Sequence, residues 1–378
     1  MTSAVPAQTP IVVGLLADEG FPALVAHYAA AHLPKDLATE LDDVDWDIRV
    51  SSQPLGVNEH GRIPILKLAA EYRSGQGWDL LVLITDLPHR VDRQPIVCEF
   101  NTDCGVALAS VPALGAIRIR RRTRALLVHL IRHLTVTHLG LASAEDGSQQ
   151  RQRLHARVAQ RIAPVSQMES KSADTDLQFA LIGLRGRIRL LAGMVRDNRP
   201  WLLVPHLSTA TAAALATAAY GLVSTDVWRL ANALAVWRLA FVNVAAIAAM
   251  TTWLLGYHHL WERPADRTER ETVLLNNVST VITLAVGVAC MYALLFALTF
   301  LAASAVIDSS LLHSEVVGGR GIAEYIVIVW FACSVGIVAG AIGSSLETEQ
   351  AIEKATYSRR ERARRGFTDR ATQEQDPR

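Results

Sequence analysis

The chain is 378 residues long, 51% hydrophobic and 19% charged, with a formal net charge of +1, and its mean hydropathy is +0.22. That length suggests two or three folding units. So high a hydropathy excludes an ordinary soluble enzyme and directs attention to membrane segments. Residues 1–200 read as globular, 202–346 are mostly apolar, and 359–378 form an arginine-rich tail.

The opening run, "MTSAVPAQTPIVVGLLADEG", lacks a basic leader and carries acids directly after its short apolar stretch, so it reads as a strand entering a domain rather than a secretory signal. "IVVGLL" (11–16), "WDIRVSS" (46–52) and "WDLLVLIT" (78–85) are short β-rich runs, and 21–41 and 61–74 between them carry helical apolar spacing. "PIVCEFNTDCGVALASV" (95–111) adds a strand pair around the Asn101–Thr102–Asp103 turn, followed by a long helix. The prediction is an α/β domain over residues 1–140, a mixed sheet with crossover helices. Ligands of such sheets bind beyond the strand ends, where Asp86 and His89 of "TDLPHR" fall; the simpler account is a polar loop with a capping aspartate. Gly14 and Gly20 do not have the spacing of a nucleotide fingerprint. Cys98, Cys104, Cys290 and Cys333 form no CxxC pair, and no disulfide framework is expected.

"RIRRRTR" (118–124) concentrates five arginines in seven residues, namely Arg118, Arg120, Arg121, Arg122 and Arg124. No aromatic interleaving or nucleic-acid module accompanies them, so nucleic acid is not expected. Anionic lipid headgroups or an acidic protein are the candidate partners, beside the plain reading of a solvated basic face. The arginines of 184–201 are assigned to the basic flank of the first span.

The next helix reads "LLVHLIRHLTVTHLG" (126–140). Leu127, Leu130, Ile131 and Leu134 make its buried stripe, while His129 and His133, at i and i+4, share the other side with Arg132 and face a cleft or water. His138 joins the pair as a third metal ligand only if the chain leaves the helix after His133. From about residue 10 to 140 the order of elements resembles the catalytic domain of archaemetzincin-type zinc metalloproteases, in which alternating strands and helices and a strand pair precede a helix bearing HExxHxxGxxH. The resemblance implies a related fold, with zinc held by three histidines and a glutamate activating water. Only His129 and His133 match that motif. Leu130 stands at the glutamate position, Val136 at the glycine and Leu139 at the third histidine, with His138 one residue early. Without a base beside the metal, peptide hydrolysis has no proton acceptor. The expectation is a related fold without protease activity and without a required cofactor, zinc remaining the alternative.

Residues 141–200 read as a polar linker, with an exposed helix at 149–162, and a basic juxtamembrane segment. Residues 239–257, 277–307 and 325–346 are long and apolar enough to cross hydrocarbon, and the Ala- and Thr-rich 202–223 is the fourth candidate. The basic tail within 347–378 and the absence of an export signal place both termini in the cytosol, which requires an even number of spans. Four spans put the loop 258–275 inside and 308–321 outside, and leave Arg229 and Arg238 of 224–238 facing outward. The spans carry few ionisable groups, which disfavours a transporter. Gly336 and Gly340 form a GxxxG pair, suited to a homo-oligomer contact through the last span or to packing within the chain. The composite expectation is a bacterial-type inner-membrane protein, in which an all-α transmembrane domain of four helices carries a cytosolic binding or regulatory module. A membrane-anchored metal-dependent hydrolase using His129 and His133 is the first alternative and a channel or transporter component the second.

Overall fold

A computed structural model describes residues 10–41, 44–58, 63–91, 94–140, 165–169, 177–181, 183–263, 270–307 and 322–346. The chain divides into two units, Met1–Asp197 and Asn198–Arg378.

The first unit opens with β1 (Ile11–Ala17), α1 (Phe21–Ala30), α2 (Leu33–Ala38), β2 (Trp46–Ser52), α3 (Ile65–Gln76) and β3 (Leu80–Thr85). A two-residue β4 (Arg90–Val91), β5 (Gln94–Asn101), β6 (Val106–Ser110) and the long α4 (Ile119–His138) follow. The main sheet order is β2-β1-β3-β6-β5-β8-β7, with β4 paired to β5. β2, β1, β3 and β6 are mutually parallel, whereas β5 runs antiparallel to β6. β3 and β6 are buried at every residue, as strands covered on both faces must be. Ala26, Leu33, Leu37, Leu126, Leu130 and Leu134 of α1, α2 and α4 share one apolar core. Leu68 and Tyr72 of α3 pack with Trp78 in another. Gly14 makes room for that second core, since a Cβ there would lie 1.8 Å from Cε3 of Trp78, whose ring stacks on Tyr72.

The segment read as a linker contributes to the sheet. β7 (Val165–Glu169) and β8 (Leu177–Leu181) form an antiparallel pair, and β8 joins β5. Each is only five residues long, too short for its alternation to stand out from a polar stretch, but the open edge of β5 supplies the backbone partners. α5 (Gly183–Asp197) then packs Leu190 into the same core as α4. The compact unit therefore continues to Asp197 rather than ending near residue 140. The predicted helix at 149–162 lies outside the described residues, as does the arginine-rich tail.

The second unit is helical: α6 (Leu203–His206), α7 (Ser208–Val223), α8 (Thr225–Ala233), α9 (Val236–Tyr257), α10 (Arg270–Val306) and α11 (Ile322–Gly343). Val236–Tyr257, Val273–Val306 and Ile322–Leu346 are long and apolar enough to cross a membrane. α7 adds a fourth candidate only as the second half of a bent helix pair; its 16 residues span about 24 Å, short of a hydrocarbon core of roughly 30 Å. The 224–238 connection is mostly the amphipathic α8, which buries Trp228 and leaves Arg229 exposed. In α11 the GxxxG face meets α7 of the same chain. A Cβ at Gly336 would lie 2.7 Å from the Ala214 carbonyl oxygen, and one at Gly340 2.9 Å from that of Ala210. Tyr292 of α10 donates to the Trp330 carbonyl at 3.1 Å and Tyr325 to that of Ile307 at 2.9 Å, satisfying hydroxyls in an apolar bundle.

Candidate functional site

The parallel strands β1, β3 and β6 end together, and their last residues build a polar cluster that the sequence did not reveal. Asp18, directly after β1, is buried; its carboxylate accepts the Leu55 backbone N–H at 2.8 Å and the Thr85 hydroxyl at 2.6 Å. Thr85 in turn accepts the Leu87 N–H at 3.1 Å, and Ser110 at the end of β6 donates to the Leu87 carbonyl at 2.8 Å. A buried carboxylate persists when its oxygens are bonded in this way. Asp18 thus pins the loops after β2 and β3 around the carboxyl edge. The only sequence signal was an acid immediately following an apolar strand.

Asp86 and His89 lie in the loop so pinned, both half-buried. His89 Nε2 donates to Glu99 Oε2 at 3.1 Å, and Gln178 of β8 donates to the same oxygen at 3.4 Å. Glu99 is 5% exposed and sits on β5, so one carboxylate links the loop, β5 and β8. The arrangement can present polar groups to a ligand beyond the strand ends, while its hydrogen bonds hold the loop.

The histidine helix differs from expectation in one respect. Leu127, Leu130, Ile131 and Leu134 are buried as the spacing requires, yet His129 and His133 are buried too, at 3% and 6% exposure. α4 is covered on both flanks, with the His133 ring edge-on to Phe100 of β5 at 5.0 Å. Arg132, on the same side, pairs with Glu40 at 3.3 Å. The helix runs unbroken through His138, whose Nδ1 donates to the Thr102 carbonyl at 2.9 Å. The condition under which His138 would join the other two is therefore not met. Among the described residues no group of three or more His, Cys, Asp or Glu is placed to hold a metal ion. Burial pushes the Cys98 thiol well above its usual range, with Glu99 adding to the effect.

The arginines of 118–124 divide by role. Arg124 grips Asp36 through a bidentate pair, and Arg122 donates to the Leu114 carbonyl at 2.9 Å. The Asp36 carboxyl is held below its ordinary range, first by the hydrogen bonds from Arg124 and also by its charge, against the opposing effect of burial. Arg120 lies over the Tyr28 ring at 5.4 Å and, like Arg118 and Arg121, is exposed. Arg189 of α5 belongs to the same neighbourhood: a Cβ on Gly115 would meet Arg189 Cγ at 2.8 Å and Arg122 Nη1 at 3.5 Å. Burial, then the Arg122 charge, lower the Arg189 pKa. Two arginine stretches that look separate in the sequence are neighbours. Compared with protein-family models, with curated proteins and with solved structures, the chain matches none.

Proposed function

We propose that the chain is a multi-span protein of a bacterial-type cytoplasmic membrane, with both termini cytosolic and a non-catalytic α/β module for ligand or partner recognition. The observation that carries the membrane reading is the outward face of the helical unit. Phe241, Val244, Leu301, Val306, Ile322 and Ile342 are each more than half exposed, an arrangement that aggregates in water but is solvated by lipid tails. Exposed Trp237 near the start of α9, and Trp253 and Tyr257 near its end, suit the two interfaces.

The non-catalytic part of the reading is supported by the buried state of His129 and His133 and by Leu130 at the position where a zinc protease needs its glutamate. Recognition is assigned to the carboxyl edge, where Asp18 holds the loop bearing Asp86 and His89. Zinc and a protease-like origin are not needed for this role.

Extraction and topology mapping test it. The full chain should stay with membranes through an alkaline wash. A phosphatase fused within 308–321 should be active outside the cell, and one fused within 258–275 inactive. Release by the wash, or the reverse pattern of fusions, would overturn the reading.

A further inference from the structure

α5 is clamped to its own unit along a narrow seam. A Cβ at Gly193 would lie 2.0 Å from the Pro112 carbonyl oxygen, and one at Gly186 2.8 Å from Leu181 Cβ, with Leu190 buried between them. Positions 186, 190 and 193 share one helix face, so the opposite face is turned out. Leu184 and Ile188 are there 73% and 56% exposed, beside exposed Arg185. The segment before α4 adjoins this seam through Gly115 and Arg189 and exposes Ile117 at 71% next to Arg118 and Arg121. Arg118, Arg121 and Arg185 make no ion pair among the described residues. No acid occurs in 112–124 or 183–196. The fold has therefore brought two distant stretches together at Arg122 and Arg189, each carrying exposed arginines and exposed aliphatic side chains.

We propose that this surface docks on the anionic headgroups of the bilayer that holds the helical unit. The inference rests on the membrane reading above. Arginines flanking aliphatic side chains are the pattern of an interfacial helix, the guanidiniums meeting phosphates while the apolar groups reach the acyl boundary. Asp197 ends α5 three residues before Pro200, where the helical unit begins its first turn. In a membrane-held chain the surface is thus tethered near the bilayer, and docking becomes an intramolecular step at high effective concentration. An acidic protein would match the charge but leaves Ile117, Leu184 and Ile188 without a role.

Hydrogen–deuterium exchange on the full chain in nanodiscs decides it, comparing phosphatidylcholine alone with a mixture containing phosphatidylglycerol. Residues 116–121 and 183–189 should exchange several-fold more slowly in the anionic discs only, and raised salt should remove the difference. Each near-surface arginine raises the ratio of docked to undocked molecules by about five-fold. Replacing Arg118, Arg121 and Arg185 together by serine should then lower the docked ratio on the order of a hundred-fold. Protected β1 and β3 amides would report a folded domain in the variant. Equal exchange in both disc types, or protection that survives the triple substitution, would overturn the proposal. So would protection by soluble polyglutamate but not by phosphatidylglycerol, which would point to an acidic protein. A chain that enters neither disc fails the membrane reading instead, a result distinguishable from inserted helices with an undocked surface.

Discussion

Asp18 is the residue on which the carboxyl edge depends. Removing its carboxylate leaves the Leu55 N–H and the Thr85 hydroxyl without the oxygens they now meet. An unsatisfied buried group costs about 1–3 kcal/mol. Asp18→Ala should therefore destabilise the α/β unit by about 3 kcal/mol, and Asp18→Asn by less, since one acceptor oxygen remains. Pulse proteolysis across a urea series, on the full chain in detergent, reads the shift. The Asp36–Arg124 pair makes a smaller, pH-dependent contribution. A carboxylate with a lowered folded-state pKa adds stability above its unfolded value, and this is lost as pH falls through the folded value. Here the loss sets in below about pH 4, driven by the hydrogen bonds and charge of Arg124. The Arg124 and Asp36 side chains are partly exposed, at 30% and 24%, so the amount is less than about 1 kcal/mol. Asp36→Asn should remove that part of the acid sensitivity while leaving the carboxyl-edge loops in place, measured by the same proteolysis at two pH values.

At the scale of elements, the close approaches are made by small residues. α11 meets α7 where Gly336 and Gly340 face Ala210 and Ala214, letting backbones come together as in other small-xxx-small contacts. Gly336→Leu would drive a side chain into a carbonyl that a Cβ alone already reaches at 2.7 Å. Overpacking of this kind costs about 1–3 kcal/mol. The variant should lower the thermal midpoint of the helical unit in detergent and free the GxxxG face. Unchanged melting would mean that the α7–α11 contact is not formed in solution. This contact was only half legible in the sequence: "VGIVAGAIG" announces a close helix approach, but a spacing on one helix does not identify its partner. α7 was ambiguous for a related reason, because alanine and threonine suit a packed helix and a lipid-facing helix alike.

For the whole molecule, the proposed division of labour places the membrane in unit two and recognition in unit one. If unit one is a non-catalytic module, full-length protein purified without a His tag should carry well under one zinc per chain by elemental mass spectrometry. His129→Ala should leave that value unchanged and cost stability instead, since it opens a cavity beside the core. Stoichiometric zinc lost on that substitution would restore the hydrolase alternative. The strand and helix order was readable over 11–138 because alternation and helical spacing repeat strongly there. The contribution of 165–197 was not, because β7 and β8 are short and the partner of β8 lies about 80 residues earlier on β5.

Sequence alone determined the two-part character of the chain, since an α/β pattern followed by long apolar runs has few physical solutions. It likewise located Asp86 and His89 at a strand end and placed His129 and His133 on one helix. Only the tertiary structure decided what covers each face. The histidine side of α4 is buried rather than open, the GxxxG face is filled by α7, and Trp78 occupies the space over Gly14. Two arginine stretches became neighbours in the same way. The physical reason is common to all four: periodicity along a chain reports which side chains share a face, whereas the partner of that face is set by close packing between segments distant in sequence.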